Sequence, residues 1–266
     1  MKFSVSNLSL KEAKIEQAAK IIRSIGFDGV EIAPSIYFPQ YSLEPLDTFK
    51  RIRNVFEQHQ LQVSGLQSVL FGIPNLQLLN QHDHEALAVH MKSVIRIANA
   101  MGTKIIVFGS PKNRLRGVIE LSKAHEIASN FFQILVENLL DQNVRIALEP
   151  NAKEYGADYL TNYDEVLELV DLINSPAICA QIDTGCLEME GYKPTDCVVR
   201  RRPEHVHLSR PGLNTIGTYE DYANLTALLK SKNYGGWVTF ETLSDLQNSK
   251  YLNEISTVLS SLRDQF

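Results

Sequence analysis

Four residues stand at the ends of short aliphatic runs and could together hold a divalent cation: Glu149, Asp183, His207 and Glu241. In "VRIALEPN" (144–151) the aliphatics Val144, Ile146 and Leu148 fall on one face of an extended chain. Arg145, Ala147 and Glu149 fall on the other, and Pro150 then turns the chain away. "AICAQIDTG" separates Ile178, Ala180 and Ile182 from Cys179, Gln181 and Asp183 in the same way. "EHVHLSR" separates Val206 and Leu208 from His205 and His207. "WVTFET" separates Val238 and Phe240 from Trp237, Thr239 and Glu241. Each run thus delivers a polar group at its end, in phase with the face opposite the aliphatics. Three carboxylates sharing one narrow space repel each other and resist ionisation unless a cation joins them. Three oxygen donors and one imidazole, with no thiolate, suit one Mn²⁺, Mg²⁺ or Co²⁺ ion and tolerate Zn²⁺.

The elements that must position these groups alternate along the whole chain. Strands are predicted near 2–6, 29–33, 62–69, 103–109, 144–149, 177–183, 204–209 and 236–241. Amphipathic stretches near 11–25, 45–59, 82–101, 122–142, 162–174, 219–232 and 250–264 read as helices, and 194–201 is the poorest of them. Gly26 and Gly102 follow the first and third helices as stop signals, and Thr161 or Asn162 is the candidate cap of the fifth. Strand–helix units joined by short connections predict an α/β fold, a (β/α)8 barrel spanning 1–266 as one domain. A doubly wound sheet would more often carry a Gly-rich phosphate loop after its first strand, and "FSVSNLSL" has none. In the barrel the aliphatic faces meet the helices. The four chemical residues then point inward at the C-terminal mouth, where barrel enzymes keep their chemistry.

The chain resembles the xylose isomerase-like barrel superfamily and, within it, the sugar (phosphate) isomerase/epimerase family. The resemblance rests on "GFDGVEI" at the second strand, "IALEPN" at the fifth, "IDTGC" at the sixth, "HVHLS" at the seventh and "VTFET" at the eighth. It implies that Glu149, Asp183, His207 and Glu241 bind one divalent metal and that Glu149 and Glu241 are the acid/base pair. The implied reaction is isomerisation or epimerisation of a ketose or related sugar, phosphorylated or not. One glutamate removes the proton beside the carbonyl and an enediolate forms; protonation from the opposite side by the other glutamate gives epimerisation, and return of the proton to the neighbouring carbon gives isomerisation. Many members carry a histidine three residues after the sixth-strand aspartate; here that position is Cys186. The departure leaves room for a different substrate or for dehydration.

Further candidates for substrate binding are Glu31, Gln67, Lys112, Arg114, Arg210 and Cys186. Glu31 points inward by alternation and suits a substrate hydroxyl or else a structural hydrogen bond, and Gln67 is similar. Lys112, Asn113 and Arg114, after the fourth strand, suit a phosphate or carboxylate, or else form a solvated basic loop. Arg210 follows the seventh strand directly. "EYGADY" (154–159) offers Tyr155 and Asp158 as a flap over the mouth, and His205 lies one layer below His207.

Three other functions compete. A metal-dependent dehydratase or lyase acting on a keto-sugar or inositol derivative would use the same four residues. An endonuclease IV-like apurinic nuclease would need a trinuclear zinc cluster, yet "LQSVLFG" at the third strand end has no histidine and Cys186 replaces another ligand. A non-catalytic sugar-binding protein would not need two proton-transfer carboxylates. Net charge is −5 over 266 residues, and the one basic cluster, Arg200–Arg202, is too short to track phosphates, so no nucleic acid is expected. With no apolar run of about 18 residues, no membrane span is expected. The absence of a leader-like start and the odd cysteine count of 3 suit a reducing cytoplasm. The expected partner is a small-molecule carbohydrate, and a homo-oligomer is compatible with the sequence.

Overall fold

The computed structural model describes residues 1–265. Eight parallel strands close into a barrel in chain order: β1 (Lys2–Ser6), β2 (Gly29–Ile32), β3 (Gln62–Leu66), β4 (Ile105–Phe108), β5 (Arg145–Leu148), β6 (Ile178–Asp183), β7 (His205–Leu208) and β8 (Trp237–Phe240). Seven of the helices pack outside: α1 (Ile15–Ile25), α2 (Leu46–Gln58), α3 (His84–Ala100), α4 (Leu121–Asp141), α5 (Tyr163–Ile173), α8 (Tyr219–Ser231) and α9 (Ser249–Arg263). Between β6 and β7 two shorter helices, α6 (Thr184–Met189) and α7 (Pro194–Arg200), replace one long one. The architecture is the (β/α)8 barrel that the strand–helix alternation predicts.

The two faces of the strands part as alternation requires. Val144, Ile146, Leu148, Ile178, Ala180, Ile182, Val206, Leu208, Val238 and Phe240 join the apolar layer between barrel and helices. A separate small cluster inside the barrel holds Ile105, Val107, Ala147 and Cys179. Ser4, Glu31, Gln181, His205 and Thr239 are also fully buried.

Local signals set the helix ends. Gly26 stops α1 with φ 101° in the left-handed region, its N–H reaching Ile22 and Arg23 carbonyls. Asn162, rather than Thr161, caps α5 by accepting the amide of Glu165. Helix α1 begins at Ile15 rather than 11, because Asn7–Leu10 form a 3₁₀ turn capped by Ser6. The pairing of β2 with β3 shifts between Val30 and Glu31, a bulge that re-aims the chain at an inward carboxylate. Gly65 sits opposite Glu31 there, and a Cβ at Gly65 would lie 3.2 Å from Glu31 Oε2. Glycine is therefore what leaves Glu31 its space.

Among the described residues no helix is long and apolar enough to cross a membrane.

Candidate metal centre and cleft

Glu149 and Glu241 lie one residue beyond β5 and β8, yet both continue the barrel. The Glu149 amide donates to Phe108 O at 3.2 Å and the Glu241 amide to Leu208 O at 3.0 Å. Asp183 is the last residue of β6, and β7 sets His207 directly beside it in register. These four side chains meet: one ligand atom from each lies within 4.8 Å of the others. Asp183 and His207 are almost wholly buried, and Glu149 is nearly so.

Each member is held from outside the cluster. Glu149 Oε1 accepts from Gln181 Nε2 at 2.7 Å and Oε2 from Asn151 Nδ2 at 2.9 Å. Asn151 is steadied in turn by Arg114, whose Nη2 donates to Asn151 Oδ1 at 2.7 Å and to the Glu149 carbonyl at 2.8 Å. Asp183 uses Oδ1 to cap α6, accepting from the Cys186 amide at 2.6 Å and from Ser209 Oγ at 2.8 Å. Glu241 Oε1 accepts from Gln67 Nε2 at 2.6 Å. Gly109 passes so close to Glu149 that a Cβ there would collide with Oε2.

His207 shows what the cluster lacks. Its Nε2 donates to Glu31 Oε1 at 2.8 Å. Its Nδ1 faces Glu149 Oε1 at 3.1 Å, Glu241 Oε2 at 3.3 Å and Asp183 Oδ2 at 3.7 Å, yet forms no hydrogen bond of acceptable geometry with any. A ring protonated at Nε2 alone turns a lone pair toward three carboxylates. Positive charge at that point removes the conflict, whether as a proton on Nδ1 or as a cation between the four groups. The shifts agree. Burial and the neighbouring Glu149 and Glu241 push the Asp183 carboxyl up to about 7. Burial alone would lower the pKa of His207, but Glu31 and Glu241 hold it well above the usual imidazole value. The donor set of three carboxylates and one imidazole fits a hard or borderline divalent ion.

Glu31 also gathers His205 and His207 into a second acidic and imidazole group. Hydrogen bonding accounts for that group without an ion. Glu31 accepts from His205 at 2.6 Å, from His207 at 2.8 Å and from Thr239 Oγ1 at 2.9 Å. Burial raises its pKa, but the two imidazoles outweigh burial and hold the carboxyl far below the carboxylate range. A metal ligand whose second nitrogen is fixed by a carboxylate is the usual way an imidazole is oriented.

A cavity of about 500 Å³ opens above the cluster. Its wall includes Gln67, Lys112, Asn113, Cys186 and Tyr155 among the candidates read from the sequence. Glu31 is not in that wall; it lies beneath His207, fully buried. Arg114 is also fully buried, behind Glu149, where burial lowers its pKa to about 10. Arg210 forms ion pairs with Glu188 and Asp221, both at 3.0 Å, and does not line the cavity. Asp158 binds the amides of Arg116 and Gly117 instead of facing the mouth. His205 sits below His207, as its position one layer down in β7 requires. Cys186 is buried at the cavity wall, its thiol pushed well above the ordinary value by burial and by Asp183 and Glu149, which does not suit a nucleophile. A second cavity of about 550 Å³ lies at the opposite mouth, but its Arg145–Glu204 and Arg53–Glu57 charges pair with each other.

Sequence reasoning missed Asn151, Gln181 and Gly109 as parts of the site. Gln181 carries a signal, since it shares the inward face of β6 with Asp183. Asn151 carries a weaker one in "EPN". Nothing local marks Gly109.

Comparison with known proteins follows the same line. No curated protein matches the chain in sequence. Among solved structures, D-psicose 3-epimerase in the presence of D-fructose superposes with a TM-score of 0.80 at 12% identity, covering 99% of both chains. The 3-keto-D-glucoside 4-epimerase of E. coli superposes at 0.77 and 16%, again over 99% of both. A probable 3-DHS dehydratase of Bacillus anthracis follows at 0.70 and 15% over the full length of both. At such identities these likenesses speak for the fold. The family model described as xylose isomerase-like TIM barrel matches residues 19–262, and the chain belongs to that family.

Proposed function

We propose that this chain is a divalent-metal-dependent isomerase or epimerase of a ketose or related keto-sugar. The observation that carries the reading is the convergence of Glu149, Asp183, His207 and Glu241 around an unsatisfied imidazole nitrogen, at the floor of an open cavity. These four residues would hold the ion. When bound it would polarise a substrate carbonyl and steady the negative charge that develops on its oxygen. The structural likeness to two sugar epimerases supports the substrate class.

The chain's own groups divide the remaining work. Glu149 is clamped at both oxygens, by Gln181 and Asn151, so its position is fixed. Glu241 is held at Oε1 alone and is partly exposed, leaving Oε2 able to reach a carbon-bound proton. Glu241 is therefore assigned the first proton removal and Glu149, entering the step protonated, the return of a proton, the pair being reset by proton exchange with solvent. Delivery to the opposite face of the same carbon gives epimerisation; delivery to the neighbouring carbon gives aldose–ketose isomerisation. Gln67 orients Glu241 and keeps its own Oε1 buried without a partner.

One observation favours a second reading. Cys186, in the cavity wall where the family resemblance expects a histidine, offers little to a sugar hydroxyl. The same carboxylates could then expel a neighbouring hydroxyl, a dehydration. Incubating the Mn²⁺-loaded protein with a panel of keto-sugars in D₂O tests both. Deuterium beside the carbonyl in a rearranged product supports the isomerase; an unsaturated product moves the assignment to the dehydratase. Glu241→Gln should lower turnover by about 10²–10⁴-fold, the usual worth of a positioned general base, while retaining bound metal. A wild type that exchanges no keto-sugar in the panel would refute the proposal.

A further inference from the structure

The cavity is polar at its floor and apolar above it. Leu70, Phe71, Ile73 and Pro74, from the β3–α3 connection, and Leu213, after β7, belong to its apolar lining. Phe71 is 74% exposed, a large ring left at the rim with little of the protein to cover it.

Several of the polar groups that line the cavity are committed, while Ser68, Ser110 and Lys112 line it outside the cluster. Asn113 spends its amide on the carbonyls of Ile73 and Leu76, at 2.7 and 2.9 Å, tying two loops together. Asn151 is spent on Glu149, and Tyr155 Oη accepts the amide of Gly212 at 2.8 Å. Gln67 Oε1 is the buried acceptor left over, and it lies beside Glu241 at the floor. A polyhydroxylated chain extending upward along Leu70, Phe71, Ile73, Pro74 and Leu213 would bury hydroxyls against carbon, which is unfavourable.

The charges weigh against a phosphate as well. Among the described residues Lys112 is the one Lys or Arg that lines the cavity, and it is exposed at the edge. Arg210 is neutralised by Glu188 and Asp221, and Arg114 is sealed behind Glu149. The N-terminus of α6, which could otherwise attract an anion, is already capped by Asp183. A phosphate held here would have one mobile ammonium in its favour and the carboxylates of the floor against it.

Building on the isomerase reading of the same site, we propose that the substrate is a neutral keto-sugar derivative carrying an apolar substituent, an alkyl or aryl group, that packs against Leu70, Phe71, Ile73, Pro74 and Leu213. Apolar area removed from water on that wall supplies binding energy at about 25 cal/mol per Å². A cavity of about 500 Å³ lies well inside the range of roughly 300–1,000 Å³ that accepts drug-sized ligands. The keto-sugar ring takes the floor beside Glu241, and the substituent takes the upper wall.

The test compares one keto-glycoside with a methyl and with a phenyl aglycone, and the corresponding keto-sugar phosphate, on the Mn²⁺-loaded protein in D₂O. The expected result is deuterium exchange beside the carbonyl for both glycosides, with kcat/KM at least tenfold higher for the phenyl compound and the phosphate slowest. Exchange at equal rates for the two aglycones, or fastest exchange with the phosphate, overturns the proposal and leaves the isomerase reading standing. If none of the three exchanges, it is the isomerase reading that has failed for these sugars, and calorimetric titration decides the substituent. Binding of the phenyl compound at least tenfold tighter than the methyl compound supports the proposal, and equal affinity overturns it. Ile73→Asn should erase the discrimination between the aglycones.

Discussion

Asp183 links metal binding to folding in a way that changes sign with the ion. In the metal-free protein its carboxyl rises from 3.8 to about 7, through burial and the closeness of Glu149 and Glu241. The folded state therefore keeps a proton that the unfolded state gives up between about pH 4 and 7. In that window the unfolded chain binds fewer protons, so the contribution of Asp183 to stability falls as pH rises and levels off above about 7. At about 1.4 kcal/mol per pH unit, its full penalty is on the order of 4 kcal/mol. His207 acts in the same direction. Its raised pKa gives stability that is whole below about 6.5 and is lost as pH climbs through the folded value. Asp183→Asn isolates the first effect, because an amide oxygen can still take the two hydrogen bonds that Oδ1 accepts from Cys186 and Ser209. In EDTA the variant and the wild type should unfold alike near pH 4. By pH 8 the variant should be more stable by up to about 4 kcal/mol, a rise in Tm of roughly 8 °C at about 2 °C per kcal/mol. Mn²⁺ at about ten-thousandfold excess over Kd should reverse the order, because the wild type then gains about 5.5 kcal/mol and the variant gains little. Thermal unfolding across pH, with and without metal, measures both halves. A variant less stable than wild type at pH 8 in EDTA would refute the idea that these carboxylates are held together at a cost that a cation relieves.

Three further outcomes follow from the groups around the cluster. Glu31→Gln puts an amide NH₂ against one of two imidazole N–H groups, forcing a tautomer change at His205 or His207. Mn²⁺ affinity measured by titration should fall about 10–100-fold, the usual cost of losing the partner that orients a ligand, and unchanged affinity would count against a positioning role for Glu31. Gly109→Ala places a methyl in collision with Glu149 Oε2, so metal affinity should fall at least tenfold, ~1.4 kcal/mol, while the circular dichroism spectrum of the barrel is kept. Arg114→Met removes a buried charge that has Nε and Nη1 unpartnered and frees the Glu149 carbonyl; turnover should fall more than stability, as seen by comparing kcat with the denaturant midpoint.

The period of two made the inward face of the last four strands legible, and with it all four residues of the cluster. Their alternation survives even where the strands have formally ended, because the Glu149 and Glu241 amides still join the neighbouring strand. Helix α6 was not legible: it has six residues, and its cap is Asp183 itself, a residue whose type speaks first of metal. The substrate candidates were less readable for a different reason. "KNRLR" looks like a solvated basic loop, and only tertiary packing turns Arg114 inward onto Glu149 and Asn151 while Lys112 stays at the rim. Arg210 follows β7 as expected, but Glu188 of α6 and Asp221 of α8 claim it, and neither is near it in sequence.

The interior of the barrel explains why the imidazole can be fixed so firmly. Its β4–β6 side is filled by Ile105, Val107, Ala147 and Cys179, as barrel interiors usually are. Its β1, β2, β7 and β8 side is instead polar and fully buried: Ser4, Glu31, His205 and Thr239 form a connected set, with Ser4 Oγ and Thr239 Oγ1 2.8 Å apart and Thr239 donating to Glu31. A buried anion is tolerable only where its oxygens are filled, and Glu31 has two imidazoles and a hydroxyl for them. That arrangement leaves His207 one free nitrogen and one direction in which to point it. The direction is toward Glu149, Asp183 and Glu241, so the polar half of the interior serves to aim a single ring at the place where three carboxylates require a positive charge.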